Sequence, residues 1–268
     1  MIRPSVLVFS GVDPSAGAGM HADIQAIAAL GAHPLSAITA LTVQDNDRVF
    51  AVHPIPALLL RQQAQALINK IDIAAIKIGI VANHANAEVI AAIITELRKK
   101  QPNLPVVFDP VLASGHGDAL AVDNAIQIIA PLIEIATLVT PNLPEAAALC
   151  GGDRRSETQA ESLLRRGCRH VLIKGGHGKD NGKVVNQWFT QGHSRSWSWP
   201  RLKGAFHGSG CTLASAIAAL LASGKTMEQA LDIGQAYCQQ ALEQSYAIAE
   251  GQRIPDRFIL NFRDQERL

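Results

Sequence analysis

Residues 5–30 read SVLVFSGVDPSAGAGMHADIQAIAAL: a short aliphatic run, a glycine-rich turn, then an Ala- and Ile-rich stretch of helical length from about Ala18 to Leu30. A strand, a loop and a helix in that order make half of a parallel crossover unit, and the next apolar run, LSAITALTV at 35–43, completes it. The alternation then repeats. Strands are expected in AAIKIGI (74–80), PVVFDP (105–110), ATLVTPN (136–142) and HVLIKGG (170–176). Between them the helical pattern covers Ala57–Asn69, Asn86–Lys99, Asp123–Pro131, Pro144–Leu149 and Glu157–Arg166. From Lys183 to Trp199 two alternating runs broken by Gln191-Gly192-His193 read as a hairpin at the sheet edge. Helices at Gly210–Ala222 and Met227–Ala247 close an α/β fold with a mostly parallel sheet. The chain reads as one domain over 1–268, its polar stretch after Glu250 a surface extension.

Composition narrows the function classes. Lys and Arg total 24 against 23 Asp and Glu, and a formal charge of +1 offers no electrostatic basis for nucleic acid or a membrane surface. A small-molecule partner is the better expectation. The N-terminal apolar run is too short for a signal sequence or a membrane span, so a soluble, cytoplasmic protein is expected. Cys150, Cys168, Cys211 and Cys238 form no CxxC pair, and His84, His116 and His193 read as loop residues rather than metal ligands.

In open α/β sheets ligands bind beyond the carboxyl ends of the strands, and the loops there carry the chemistry. Gly11–Gly19 has the form of a phosphate or substrate loop, or of a plain strand-to-helix turn; it is neither GxGxxG nor a P-loop. His207-Gly208-Ser209-Gly210-Cys211-Thr212 stands directly before an apolar helix, where free N–H groups and the helix dipole favour an anion. A helix start also lowers a thiol pKa, which would make Cys211 a base; alternatively Cys211 is a small buried residue. Asp109 and Glu145 follow strands and suit a hydrated Mg²⁺, or serve as a loop cap and a first-turn residue. Lys174 reads as a phosphate contact or a solvated strand end.

The ordered set SGVDPSAGAGMHADIQAIAALG, SAITALTVQ, VVFDPV, LVTPNLPEA, LIKGGH and HGSGCTLASAIAA resembles the hydroxymethylpyrimidine/phosphomethylpyrimidine kinases, a branch of the ribokinase superfamily, as far as about Ala247. That resemblance implies a ribokinase-like αβα sandwich, ATP and Mg²⁺, a homodimer, and two phosphorylations on the thiamin-precursor pathway, of a pyrimidine hydroxymethyl group and of the resulting monophosphate. It implies that Gly11, Asp23 and Gln44 hold the pyrimidine, with Ile80 in the pocket. It places Gly208, Ser209, Gly210 and Cys211 at an anion hole with a catalytic cysteine, Asp109 and Glu145 at the metal, and Lys174 on the nucleotide side. The chain departs from the family pattern at His21, Asp45, Ile80 and the shortened Gly204-Ala205-Phe206. The alternatives are a pyridoxal kinase of the same superfamily and a non-catalytic pyrimidine-binding descendant.

Overall fold

A computed structural model describes residues 2–113, 118, 120, 124–178 and 182–259. Six strands run parallel: β1 (Ser5–Val12), β2 (His33–Gln44), β4 (Ile73–Ile78), β5 (Val106–Phe108), β6 (Leu138–Val139) and β7 (His170–Ile173). β3 (Val49–Pro54) adds antiparallel to β2, and β8 (Lys183–Thr190) with β9 (His193–Pro200) adds antiparallel beyond β7. The order across the nine-stranded sheet is β3-β2-β1-β4-β5-β6-β7-β8-β9. The parallel centre and the β8–β9 hairpin follow the sequence expectation. β3 does not: both edges are antiparallel, because Asp45 Oδ1 accepts from the Asp47 and Arg48 amides and folds the chain back on β2.

Eight helices flank the sheet among the described residues: α1 (Gly19–Ala29), α2 (Ala57–Ile68), α3 (His84–Lys100), α4 (Ala125–Ile135), α5 (Leu143–Leu149), α6 (Ser156–Arg165), α7 (Ser209–Ala222) and α8 (Met227–Glu243). Successive strand residues point to opposite faces. Leu7, Phe9, Ile76, Ile78, Val106 and Phe108 therefore pack with α2 to α6. Val6, Val8, Ala75, Val107 and Leu138 pack with α1, α7 and α8. This is the three-layer sandwich. Burial of both faces explains why β1 reads as a continuous apolar run rather than an alternating one. No helix among the described residues is long and apolar enough to cross a membrane.

Two expectations need correction. α4 continues through Pro131 to Ile135, because Leu132 and Ile133 are fully buried and their packing outweighs the backbone bond that proline cannot make. Asp123, where that helix was expected to start, lies outside the described residues. The stretch after Glu250 is no surface extension up to Ile259: Gln252, Ile254, Pro255 and Arg257 are buried. α8 ends at Glu243 so that Tyr246 and Ile254 can exchange backbone hydrogen bonds and turn the chain back across the molecule.

Lys77 of β4 points to the α1 and α7 side and is wholly buried. Its Nζ lies 2.7 Å from Asp23 Oδ1 of α1, which also accepts from Ser215 Oγ of α7 at 2.7 Å. One carboxylate thus joins a strand and two helices. Breaking a buried pair strands the surviving charge, whereas replacing both partners with apolar groups is often tolerated. Asp23→Leu should lower unfolding free energy by about 3–5 kcal/mol in denaturant titration, and adding Lys77→Met should restore most of it. Additive losses in the double variant would contradict the pairing.

Candidate active site

The carboxyl ends of the parallel strands open on a cavity of about 510 Å³. Gly11, Gln44, Ile80, Asp109, Glu145, Lys174, Gly208, Ser209, Gly210 and Cys211 all border it. Asp23 does not. A fully buried carboxylate already committed to Lys77 and Ser215 sits behind the cavity wall, so the expected direct contact with a pyrimidine is corrected to a role in the wall itself.

The start of α7 is shaped by two glycines. Gly208 adopts φ +79°, left-handed backbone, where a β-carbon would strike the Gly17 carbonyl. At Gly210 a β-carbon would lie 3.1 Å from Lys174 Nζ and 3.2 Å from Asp109 Oδ2. The first turn leaves the amides of Ser209, Gly210 and Cys211 without helical acceptors, at the positive end of the dipole and bordering the cavity.

Lys174 and Asp109 form an ion pair at 2.6 Å, and Thr140 Oγ1 donates to the same Asp109 oxygen at 2.9 Å. Burial opposes the Lys174 charge, but Asp109 and Glu145 outweigh it and hold the amine protonated. Lys174 is therefore no solvated strand end. Glu145 closes the capping box of α5 with Asn142, and burial first, then the nearby Asp109, raises its pKa to about 7. Among the described residues no three His, Cys, Asp or Glu side chains gather into a metal cluster. Asp109 and Glu145 are a two-acid site, which suits a cation that keeps most of its water.

Cys211 overturns the expectation of an acidic thiol. Burial, with Asp23 and Asp109 adding to it, outweighs the opposing pull of Lys77 and the Gly19 amide, and the thiol is pushed up to about 11. The helix start is present, but the surrounding carboxylates and the loss of water decide the sign.

Asp13 and His207 were not singled out from the sequence. Asp13 is 1% exposed; its carboxylate accepts from the Ser15 and Ala18 amides at 2.8 Å and lies 2.7 Å from His207 Nε2. Burial alone would raise its pKa, but hydrogen bonds from His207, Ser15 and Gln44 hold it well below the usual carboxylate range. The signal was available in Val12-Asp13-Pro14-Ser15, a strand end followed by an Asx-turn residue. Lys77, buried in an apolar strand, left the weaker clue. Of the histidines read as loop residues, His84 begins α3 and His193 begins β9, while His116 lies outside the described residues.

The family described as phosphomethylpyrimidine kinase matches residues 13–256. The chain belongs to that family. A hydroxymethylpyrimidine/phosphomethylpyrimidine kinase of Rhizobium meliloti is 36% identical over 258 residues, covering 92% of this chain and 93% of the relative. The solved phosphomethylpyrimidine kinase of Clostridium difficile superposes with a TM-score of 0.75 at 30% identity, covering 90% of this chain and 100% of that one. A Staphylococcus aureus pyridoxal kinase solved with AMP-PCP and pyridoxal gives 0.84 at 27% identity, covering 97% and 95%. The phosphomethylpyrimidine kinase family consists of phosphotransferases with the ribokinase-like sandwich described above, and this chain is one of them.

The Glu145 environment has a pH signature. The folded kinase keeps the Glu145 proton up to about pH 7, whereas the unfolded chain releases it near 4.5. The stability contributed by the protonated acid is therefore complete below about 4.5 and falls as pH rises to about 7. Urea unfolding should show Glu145→Gln gaining on wild type through that window and holding a constant advantage above it. A difference independent of pH would place Glu145 in solvent.

Proposed function

We propose that this kinase transfers the γ-phosphoryl group of ATP to the hydroxymethyl group of 4-amino-5-hydroxymethyl-2-methylpyrimidine, and then phosphorylates the resulting monophosphate, in thiamin biosynthesis. The observation that carries the reading is the convergence on one cavity of the Ser209–Cys211 amides, the Lys174–Asp109 pair and the Gln44 amide. The first two suit phosphoryl groups and the third suits an aminopyrimidine. We place the protein in the cytoplasm as a homodimer; exposed Leu41, Val43 and Phe50 along the β2–β3 edge support the latter.

The roles follow from the chemistry present. Gln44 donates one amide proton toward Asp13, which leaves its carbonyl oxygen to accept from the exocyclic amine of the pyrimidine. Gly11 and Ile80 wall the ring. The helix-start amides face the oxygens of the transferring group, and Lys174 neutralises the donor phosphates. Asp109 and Glu145 would hold Mg²⁺ through its water shell. Bound there, the ion supplies charge neutralisation for the β- and γ-phosphoryl oxygens. Phosphoryl transfer passes through a loose transition state, so the substrate proton leaves late and strong base catalysis is not required. A thiol titrating near 11 fits that regime: Cys211 stays protonated and orients the substrate hydroxyl by hydrogen bonding, while the hydroxyl proton leaves late, onto an oxygen of the transferred phosphoryl group, as the new O–P bond forms and the bond to ADP breaks.

Cys211→Ala should lower kcat by more than about tenfold with KM nearly unchanged, and Cys211→Ser should keep part of the rate. The wild-type pH–rate profile should show no thiol inflection between 7 and 9, since Cys211 titrates near 11. A wild-type rate in the alanine variant would reduce Cys211 to a packing residue.

The high overlap with pyridoxal kinases makes substrate choice a sharp test. A pocket that hydrogen-bonds a polar edge discriminates strongly against an analogue lacking it. Hydroxymethylpyrimidine should show higher kcat/KM than pyridoxal, and Gln44→Leu should lower that ratio by about tenfold or more. Preference of the wild type for pyridoxal would move the assignment to pyridoxal kinase, and turnover of neither to a binding protein.

A further inference from the structure

Arg257 follows α8, one residue beyond the family match that ends at 256. It is 1% exposed and the largest fully buried side chain among the described residues. Its guanidinium is held by three neutral acceptors: Nε donates to Thr212 Oγ1 at 2.8 Å, Nη1 to Gln25 Oε1 at 3.1 Å and Nη2 to the Gly17 carbonyl at 2.5 Å. No carboxylate ion-pairs with it among the described residues, in contrast to Lys77 and Lys174. A buried arginine stays charged, and a buried charge without a counter-ion is costly, so its presence calls for a role beyond packing.

Its partners show which role. Gly17 belongs to the loop after β1 and Thr212 to the first turns of α7. The Thr212 hydroxyl donates in turn to the Gly208 carbonyl at 2.9 Å. A β-carbon at Gly208 would sit 2.9 Å from Arg257 Nη2, so guanidinium and glycine loop are in direct contact. The backbone that carries Arg257 is itself anchored: Tyr237 Oη donates to the Arg257 carbonyl at 2.7 Å, and the Asp256 amide to Ala241 at 3.0 Å. Upstream, Arg253 exchanges backbone hydrogen bonds with Ala205 and His207 at 2.9 Å, and so holds the segment leading into α7.

We propose that Arg257 is a positioning residue for phosphoryl transfer: through Thr212 and Gly17 it fixes the Gly208 peptide, and its unpaired charge reinforces the hold of the α7 amides on the phosphoryl oxygens. The proposal rests on the kinase reading of this cavity. A planar fork and a positive charge are both used, so lysine can replace arginine only in part.

The test uses the full chain with MgATP and hydroxymethylpyrimidine. Arg257→Gln should lower kcat by about tenfold or more, leave the pyrimidine KM within about twofold, and bind MgADP with aluminium fluoride about tenfold more weakly; Arg257→Lys should recover part of both losses. A folded Arg257→Gln protein with wild-type kcat, or with a loss confined to KM, overturns the proposal. If Arg257→Gln does not fold, Thr212→Val interrupts the relay to Gly208 while keeping the guanidinium. The same fall in kcat is then expected, and a wild-type kcat overturns the proposal. If the wild type turns over no pyrimidine, the substrate reading fails separately, and aluminium fluoride affinity still decides. Weaker binding by Arg257→Gln supports the role of Arg257, and equal binding ends it.

Discussion

The carboxylate of Asp13 holds together the segments from which the cavity is made. It follows β1 directly, caps the turn by accepting from the Ser15 and Ala18 amides, and reaches His207 at 2.7 Å in the segment before α7. Gln44, at the end of β2, hydrogen-bonds the same carboxylate. Three peptide segments distant in sequence are thus fixed by one side chain, which burial alone would favour as the neutral acid and which its donors keep ionised. Charge-assisted hydrogen bonds of this kind are stronger than neutral ones, and here they set the relative positions of the Gln44 amide and the glycine loop before α7, both of which border the cavity.

Beneath that frame lies an arrangement of buried charge. Lys77–Asp23 and Lys174–Asp109 are two lysine–carboxylate pairs on neighbouring parts of the sheet, at 2.7 Å and 2.6 Å. Cys211 feels both: Lys77 opposes the rise in its pKa, while Asp23 and Asp109 add to it. The site therefore starts with a protonated thiol, a protonated Lys174 and a Glu145 that titrates near neutrality. Such a preorganised set needs little rearrangement to meet a polyanionic phosphoryl donor.

Precision at the start of α7 comes from constraints applied on all sides. Gly208 has room for nothing larger than hydrogen, Gly210 abuts the Lys174–Asp109 pair, and Thr212 is tied to both Gly208 and Arg257. For a loose transition state, in which positioning and charge stabilisation dominate, such rigidity is itself a catalytic asset.

The alternation of aliphatic runs and Ala-rich helices determined the parallel layered fold, because burial on both faces of a sheet leaves an unmistakable apolar signature in β1, β4 and β5. Short loops after strands were equally legible, since glycines, carboxylates and a lysine at strand ends have few structural uses; Gly11, Asp109, Glu145, Lys174 and Gly208 to Cys211 do meet at one cavity. What the tertiary structure decided is how each charge is partnered. Whether Asp23 faces a ligand or a buried Lys77 depends on a residue 54 positions away on another element. The direction of the Cys211 shift is set first by its burial and then by Lys77, Asp23 and Asp109, none of them near it in sequence. The polar composition of Gly251 to Arg257 reads as solvent-exposed, and only the acceptors offered by Gly17, Gln25 and Thr212 make burial of its arginine tolerable. Hydrophobic periodicity is a local property that a chain displays along its length; electrostatic partnership is a property of distance in space, and folding alone sets it.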